Sequence, residues 1–406
     1  MRCSTISLVF AASASLCTAA VAGPQLPLPL NGFETLQQLA ISTKPHYSND
    51  LVGLHKNLTT IESISLNELK VGQWLKSYLE DQGYSTEAQE VEKDRYNILA
   101  WPGKNRNAKT LVTSHIDTVP PYYDYRIRKD GKKTMISGRG SVDAKASVAA
   151  QIVATNELLA SGKLSPDDVT LLYVVGEEIH GDGMRAANSL GLTPNTVIFG
   201  EPTEGKLASG HKGMLGFKIR ALGKAAHSGY PWLGRSANEV LVKALAALME
   251  LGQNLPKSDK YGVTTINIGK MTGGVAANVV AKTAEAQIAV RIAEGTPAEI
   301  KKACLDAVNA AVSDYKDGDD EVIEVEFTSA GYGPVSIDHD VSGFDSMVVN
   351  YGTDIPNFNV TDKSQKRYLY GPGSILVAHS DHEIISLDDL EKAVEDYKTL
   401  ILHSLK

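Results

Sequence analysis

Apolar residues in this chain are spaced in two ways, and the spacing changes near residue 212. Before that point, strands are predicted at Arg95–Ala100, Thr110–Ser114, Val169–Val175 and Thr196–Phe199, the third being a nearly continuous apolar run. Such runs suit strands buried on both faces. Between them the chain reads as helix. Ser65-Leu-Asn-Glu68 is a capping box opening an amphipathic helix through Trp74 and Leu79 to near Gly83, and Lys145–Ala160 is an alanine-rich helix ended by Ser161-Gly162. Strands alternating with helices predict an α/β domain with a parallel or mixed sheet.

After residue 212 the apolar residues alternate. Leu215, Phe217 and Ile219 point one way and their polar neighbours the other, as in a half-exposed strand. Ser236–Glu239 caps a helix through Val240–Leu251, strands follow at Thr264–Ile268 and Glu285–Ile292, and Thr296-Pro297-Ala-Glu299 opens a helix to about Ser313. Glu321–Phe327 alternates again, and Asp317–Asp320 is a surface turn. This order fits a ferredoxin-like α+β sandwich, inserted at 212–328 into a domain formed by 23–211 and 329–406. In the last part, 343–349 reads as a helix, Gly371-Pro-Gly373 as a turn, and Ser386–Asp389 as the cap of a C-terminal helix.

Residues 1–22 change the picture of the 406-residue chain. Arg2, the short apolar core Ile6–Leu16 and Ala20-Val21-Ala22 read as a secretory signal peptide, too short to span a bilayer. A secreted, extracellular protein is expected. Cys3 and Cys17 would leave with it, so Cys304 alone remains, on the apolar face of a helix, and no disulfide can form within the mature chain. Asn57 and Asn359 begin sequons expected on surface loops. The net charge of −8, without a long basic run, argues against nucleic acid and anionic membranes as partners.

Histidines and carboxylates gather where predicted strands end: His115 and Asp117, Glu177 and Glu178, and Glu201. Asp143 lies in the glycine-rich turn Gly138–Lys145, and His379 in Ala378-His-Ser-Asp-His-Glu383. Open α/β sheets place sites at such ends. Any one of these residues alone is ordinarily a loop or capping residue. Together they are costly to cluster without a cation, and mixed nitrogen and oxygen donors suit zinc or another divalent transition ion. Alternation also sets His115 and Asp117 on one side of an extended segment.

These motifs resemble those of the M20 metallopeptidases, a dizinc group that includes glutamate carboxypeptidase, aminoacylase-1 and acetylornithine deacetylase. The resemblance rests on His115–Pro120, Gly138–Lys145, Glu177-Glu178 with Gly181-Asp-Gly183, and Gly200-Glu-Pro-Thr203, and covers nearly the whole mature chain. It implies two zinc ions, with cobalt or manganese also suited. His115 and Glu201 would hold one, Glu178 and His379 the other, and Asp143 would bridge them. It further implies that Asp117 orients His115 and that Glu177 is the general base. In the insertion, His227 of Gly223–Pro231 resembles a histidine that enters the closed site, from the partner subunit in dimeric relatives. Asn278 matches a substrate contact and Arg291 an arginine that clamps the substrate carboxylate. Without the resemblance, His227 reads as a surface-loop histidine. His211 reads as hinge or surface, and His382 as a poorer ligand than His379.

The expected function is that of a secreted dizinc carboxypeptidase acting on peptides, with a homodimer through the insertion among its expected assemblies. The alternative is an N-acyl-amino-acid amidohydrolase, which also cuts an amide beside a free carboxylate. An aminopeptidase, or a binding protein that keeps only the fold, remain as further readings. Hinges are expected near 211–213 and 328–332, where glycines flank the insertion.

Overall fold

The computed structural model describes residues 47–316 and 321–406; the leader 1–22 with its two cysteines, and the Asp317–Asp320 turn, lie outside the described residues. The larger sheet has six strands, in the spatial order 85–92, 95–101, 169–174, 110–115, 196–200, 366–370. The first two pair antiparallel and the second runs antiparallel to 169–174; the last four are mutually parallel. Strands Thr110–His115, Val169–Val174 and Thr196–Gly200 are buried throughout, as their unbroken apolar character requires. Their ends are level: His115 is opposite Val174, and Gly200 is opposite both Ser114 and Tyr370. Residues leaving these strands therefore emerge at one edge of the sheet.

Helix Lys145–Ala160 covers the sheet and packs against Leu387–His403 and Tyr47–Thr60. Twelve of its residues are buried, which explains why it shows no amphipathic stripe. Ser386 caps the C-terminal helix by accepting from the Asp389 N–H.

The insertion forms a four-stranded antiparallel sheet, 265–273, 283–292, 213–222 and 323–327 in spatial order, with helices Ala237–Asn254 and Pro297–Ala311. It has its own core, in which Leu215, Phe217 and Ile219 meet Val240, Leu248 and Val308. Thr296 and Glu299 make the reciprocal capping box, and buried Cys304 lies on that helix's inner face.

Four expectations need correction. Ser65-Leu-Asn-Glu68 does not cap the helix Leu69–Asp81. Ser65 Oγ donates to Asp117 Oδ2 at 2.7 Å, and buried Glu68 accepts Arg95 Nε and Nη2 at 3.0 and 2.9 Å. Tertiary partners outbid the local cap, because a buried ion pair broken on one side costs about 3–5 kcal/mol against about 1 kcal/mol for a cap. The segment 343–349 is not a helix: Ser346–Val349 is a strand, parallel to Leu207–His211. Val348 and Val349 favour that extended form. Asn57 is exposed but lies on the helix Tyr47–Thr60 rather than a loop, and Thr59 of its sequon is fully buried. Asn359 does lie on an exposed loop. His211, read as hinge or surface, is buried, with Nδ1 donating to the Lys212 carbonyl at 2.8 Å and Nε2 accepting from Thr353 Oγ1 at 3.1 Å.

Candidate metal centre

The level strand ends and the loops beside them bring five residues from distant parts of the chain together, four of them buried or half-buried and His379 exposed. His115 Nε2 lies 3.1 Å from Asp143 Oδ1 and 3.7 Å from Glu201 Oε1. His379 Nε2 lies 3.3 Å from Asp143 Oδ2 and 2.9 Å from Glu178 Oε2. The two oxygens of Asp143 thus face two different histidines, each of which has a further carboxylate beside it. Asp143 reaches this position on a turn ending at the helix Lys145–Ala160. That turn needs glycine at 140, where φ is +83° and a Cβ would lie 2.8 Å from Thr118 Cγ2. Lys145 anchors it from below, its Nζ donating to the Leu58 and Ile61 carbonyls at 2.8 and 3.0 Å.

Asp117 is buried beside them. His115 Nδ1 is 3.0 Å from the Asp117 carbonyl oxygen and 3.5 Å from its carboxylate. The shorter contact orients the imidazole through the main chain, with the Asp117 carboxylate beside the same ring nitrogen. The carboxylate accepts from Ser65 Oγ and from the N–H groups of Glu177 and Glu178, at 2.7, 3.1 and 3.2 Å. Asp117 therefore ties the histidine strand to the glutamate loop. Glu178 contacts His379, whereas the Glu177 carboxylate has no hydrogen bond or ion pair among the described residues. By proximity alone, His115–Asp143–Glu178 and His115–Glu177–Glu201 each form a triad with donor atoms within 4.8 Å. The second grouping puts Glu177 within reach of a cation; its lack of a histidine contact separates it from Glu178.

The electrostatics are those of a site built for positive charge. Burial, reinforced by Glu201, raises the Glu177 carboxyl well above the usual range. Burial and Asp143 push Glu178 up to about 7, and burial pushes Glu201 up to about 8. Burial would raise Asp143 too, but hydrogen bonds from His115 and His379 outweigh it and hold it low. Contacts with Asp143 and Glu178 raise His379 to about 10. Without a cation, this pocket must take up protons to relieve its own repulsion. Imidazole and carboxylate donors around a shared aspartate fit two divalent ions.

The insertion's candidates are arranged differently. His227 and Asn278 are exposed and adjacent: His227 bridges Val279, and the Ser228 N–H donates to the Asn278 carbonyl at 3.0 Å. His227 Nδ1 accepts from the Gly229 N–H at 3.0 Å, which leaves the proton of the neutral ring on Nε2. None of the contacts of His227 among the described residues reaches the acidic cluster. Arg291 is half-buried near the end of its strand; a Cβ on Gly352 would meet its Nη1 at 3.3 Å and Tyr332 Oη at 2.3 Å. His382 is exposed; its ring Nδ1 contacts Asp381 Oδ1 at 2.8 Å and its main-chain N–H donates to Ser380 Oγ at 3.2 Å.

Three residues near the pocket escaped sequence reasoning. Asp354, pushed up to about 6 by burial, lines a small cavity with His115, Glu201 and Thr353. Tyr332 stands beside Arg291, and Glu383 lies under the Asp143 turn. Glu383 was visible in the His379 segment but had no local signal of its partner. Larger cavities of about 310 and 410 Å³ lie on the insertion, lined by residues such as Lys218 and Glu285, and Met249 and Ile266; neither contains a candidate residue.

A peptidase dimerisation domain family matches residues 209–318. A protein named "probable carboxypeptidase" from Aspergillus flavus is 45% identical over 432 residues, covering 96% of this chain and 98% of that protein. A peptidase M20 domain-containing protein of Sordaria macrospora is 46% identical, covering 89% of this chain and 86% of that one. The chain belongs to the M20 peptidase family. The fold is shared with a solved Staphylococcus aureus tripeptidase at a TM-score of 0.73 and 22% identity, over 88% of this chain and 98% of that one. This M20 enzyme is a metal-dependent hydrolase with a mixed α/β catalytic domain and a separate ferredoxin-like domain.

Proposed function

We propose that this M20 enzyme is a secreted dizinc carboxypeptidase. Asp143 carries the reading of the metal centre, because its two oxygens face His115 and His379 separately. In this reading His115, Asp143 and Glu201 hold one ion, and Asp143, Glu178 and His379 the other. Bound there, two zinc ions, or cobalt or manganese, supply Lewis acidity that polarises the scissile carbonyl and acidifies the attacking water.

The chain's own residues do the rest. Glu177, raised by burial and without a hydrogen bond or ion pair among the described residues, takes the proton of the attacking water and returns it to the leaving nitrogen. Asp117 fixes the Glu177–Glu178 loop by accepting both N–H groups. His227 presents Nε2–H to the developing oxyanion, and Asn278, next to it, contacts the substrate. Arg291 binds the free carboxylate; its forked donors suit that group. His227 and Asn278 reach the substrate by closure of the insertion or from a partner subunit in a homodimer.

The names of the fungal relatives favour a carboxypeptidase over an N-acyl-amino-acid amidohydrolase. Product analysis tests this. Peptides with a free C-terminus should lose their last residue, and C-terminal amides should resist. Faster hydrolysis of N-acetyl amino acids would establish the alternative, and release of N-terminal residues an aminopeptidase. Secretion rests on the character of residues 1–22; no helix among the described residues is long and apolar enough to cross a membrane. N-terminal sequencing of protein from culture medium should find Gly23 first, and a retained leader would contradict this. Intact-mass analysis of the same material should show glycan on Asn359.

A further inference from the structure

Glu383 is 2% exposed, yet its carboxylate is surrounded by donors. Oε2 accepts from Arg139 Nη1 at 2.7 Å and from the Gly140 N–H at 3.2 Å. Oε1 accepts from the Val142 N–H at 2.8 Å and from the Asp143 N–H at 3.1 Å. One side chain thus satisfies three main-chain donors of the turn that presents Asp143, those of Gly140, Val142 and Asp143. The Glu383 main chain joins in: its carbonyl accepts from the Gly138 N–H at 3.4 Å. A buried carboxylate would not be retained for packing alone, since burying it costs far more than an apolar residue of the same size.

Its position in the chain adds a second consequence. Glu383 lies four residues after His379, whose backbone is left-handed at φ +62°. The segment carrying His379 is therefore fastened, through Glu383, to the turn carrying Asp143. His379 Nε2 lies 3.3 Å from Asp143 Oδ2, and these two residues are 236 positions apart in sequence, as 379 minus 143. Strand pairing continues the join, with Ile384 opposite Ser137 and Ile385 opposite Ile136.

We propose that Glu383 is a positioning residue of the metal centre: by accepting the N–H groups of Gly140, Val142 and Asp143 it sets the orientation of the Asp143 carboxylate and its distance from His379. The inference rests on the reading of Asp143 as the shared ligand. It concerns how that ligand is aimed, not whether it binds.

Two variants separate positioning from simple support. E383D keeps the charge and withdraws the carboxylate by one methylene from the turn. R139Q removes the buried ion pair but keeps a donor and leaves all three N–H contacts to Glu383. Metal-free wild-type, E383D, R139Q and D143A proteins are titrated with cobalt, following the visible absorption of the bound ion and the number of ions taken up. E383D should bind cobalt about 10- to 100-fold more weakly, as loss of a partner that orients a ligand ordinarily does, with an altered spectrum. R139Q should stay within about threefold of wild type in the same titration, since the contacts that orient the ligand remain. Wild-type affinity and spectrum in E383D overturn the proposal, as does an equal loss in both variants, which marks the ion pair as mere support. Fewer than two ions in wild type, or two in D143A, overturn the shared-ligand reading and this inference with it. Wild-type cobalt binding by E383D, beside two ions in wild type and fewer in D143A, overturns only the positioning role.

Discussion

The parallel strand ends and the insertion hold their polar residues in opposite ways. At the strand ends His115, Asp143 and Glu201 are buried and contact one another across long sequence separations, with Asp117 buried beside them and His379 half exposed at the rim. In the insertion His227 and Asn278 are exposed, and their contacts come from their own loops. A level set of strand ends can hold fixed charges at fixed distances, and four parallel strands, three of them buried throughout, provide it. An exposed loop pair on a separately cored domain can instead be carried to a substrate and away again. In the proposed reading the catalytic fold holds the metal as it stands, whereas contact of His227 and Asn278 with substrate calls for movement or a second chain.

The largest expected effect breaks the buried side. Glu177→Gln should lower kcat by about 1,000-fold, within the range for loss of a general base, while metal content stays at the wild-type value. Loss of metal in that variant would exchange the roles of Glu177 and Glu178. Near-normal kcat would remove the base assignment altogether.

Next come the exposed residues. His227→Ala should lose about 100-fold in kcat, as removal of an oxyanion donor does, with metal content and thermal midpoint unchanged. Full turnover would mean that the loop never enters the site. Arg291→Ala should raise KM by about tenfold, about 1.4 kcal/mol of lost binding, and should lessen discrimination between free and amidated C-termini. If amides are rejected as strongly as before, Arg291 does not read the carboxylate.

Stability rather than turnover reads the buried side through pH. His55, on the helix Tyr47–Thr60, and His211, at the end of the strand Leu207–His211 beside the insertion, are both buried and both lowered to about 4, chiefly by burial. Each is neutral in the folded chain and takes up a proton near pH 6.5 when unfolded. Between pH 6.5 and 4 the unfolded state therefore binds more protons, so stability falls as pH drops through that window and is fully present above it. The contribution is on the order of 2–3 kcal/mol each. Melting the metal-free protein from pH 4 to 7 should show a shallower slope for His55→Asn or His211→Asn. An unchanged slope in both would show that neither histidine is held neutral by the fold.

Much of this was legible in the chain because its signals are local. The helix Lys145–Ala160 is read to the residue, and the alternation of Leu215, Phe217 and Ile219 gives the insertion's inner face. What escaped was set by distant partners. Ser65 and Glu68 spell a cap, but Asp117 and Arg95 take their side chains. Strand Ser85–Glu92 is an edge strand, partly exposed along its length and so without an apolar run to announce it. Ser346–Val349 becomes a strand only by lying beside Leu207–His211. At the site, the clustering of histidines and carboxylates at strand ends was visible, but the Asp117 contacts and the place of Glu383 depend on which loops the fold brings together.

The central claim, that two cations share Asp143, meets its most direct test in elemental analysis of the fully active enzyme, taken through stepwise chelation. The account predicts two divalent ions per chain in the active protein, with Asp143→Ala lowering the content of both sites together. Full activity with one ion per chain or fewer would contradict it.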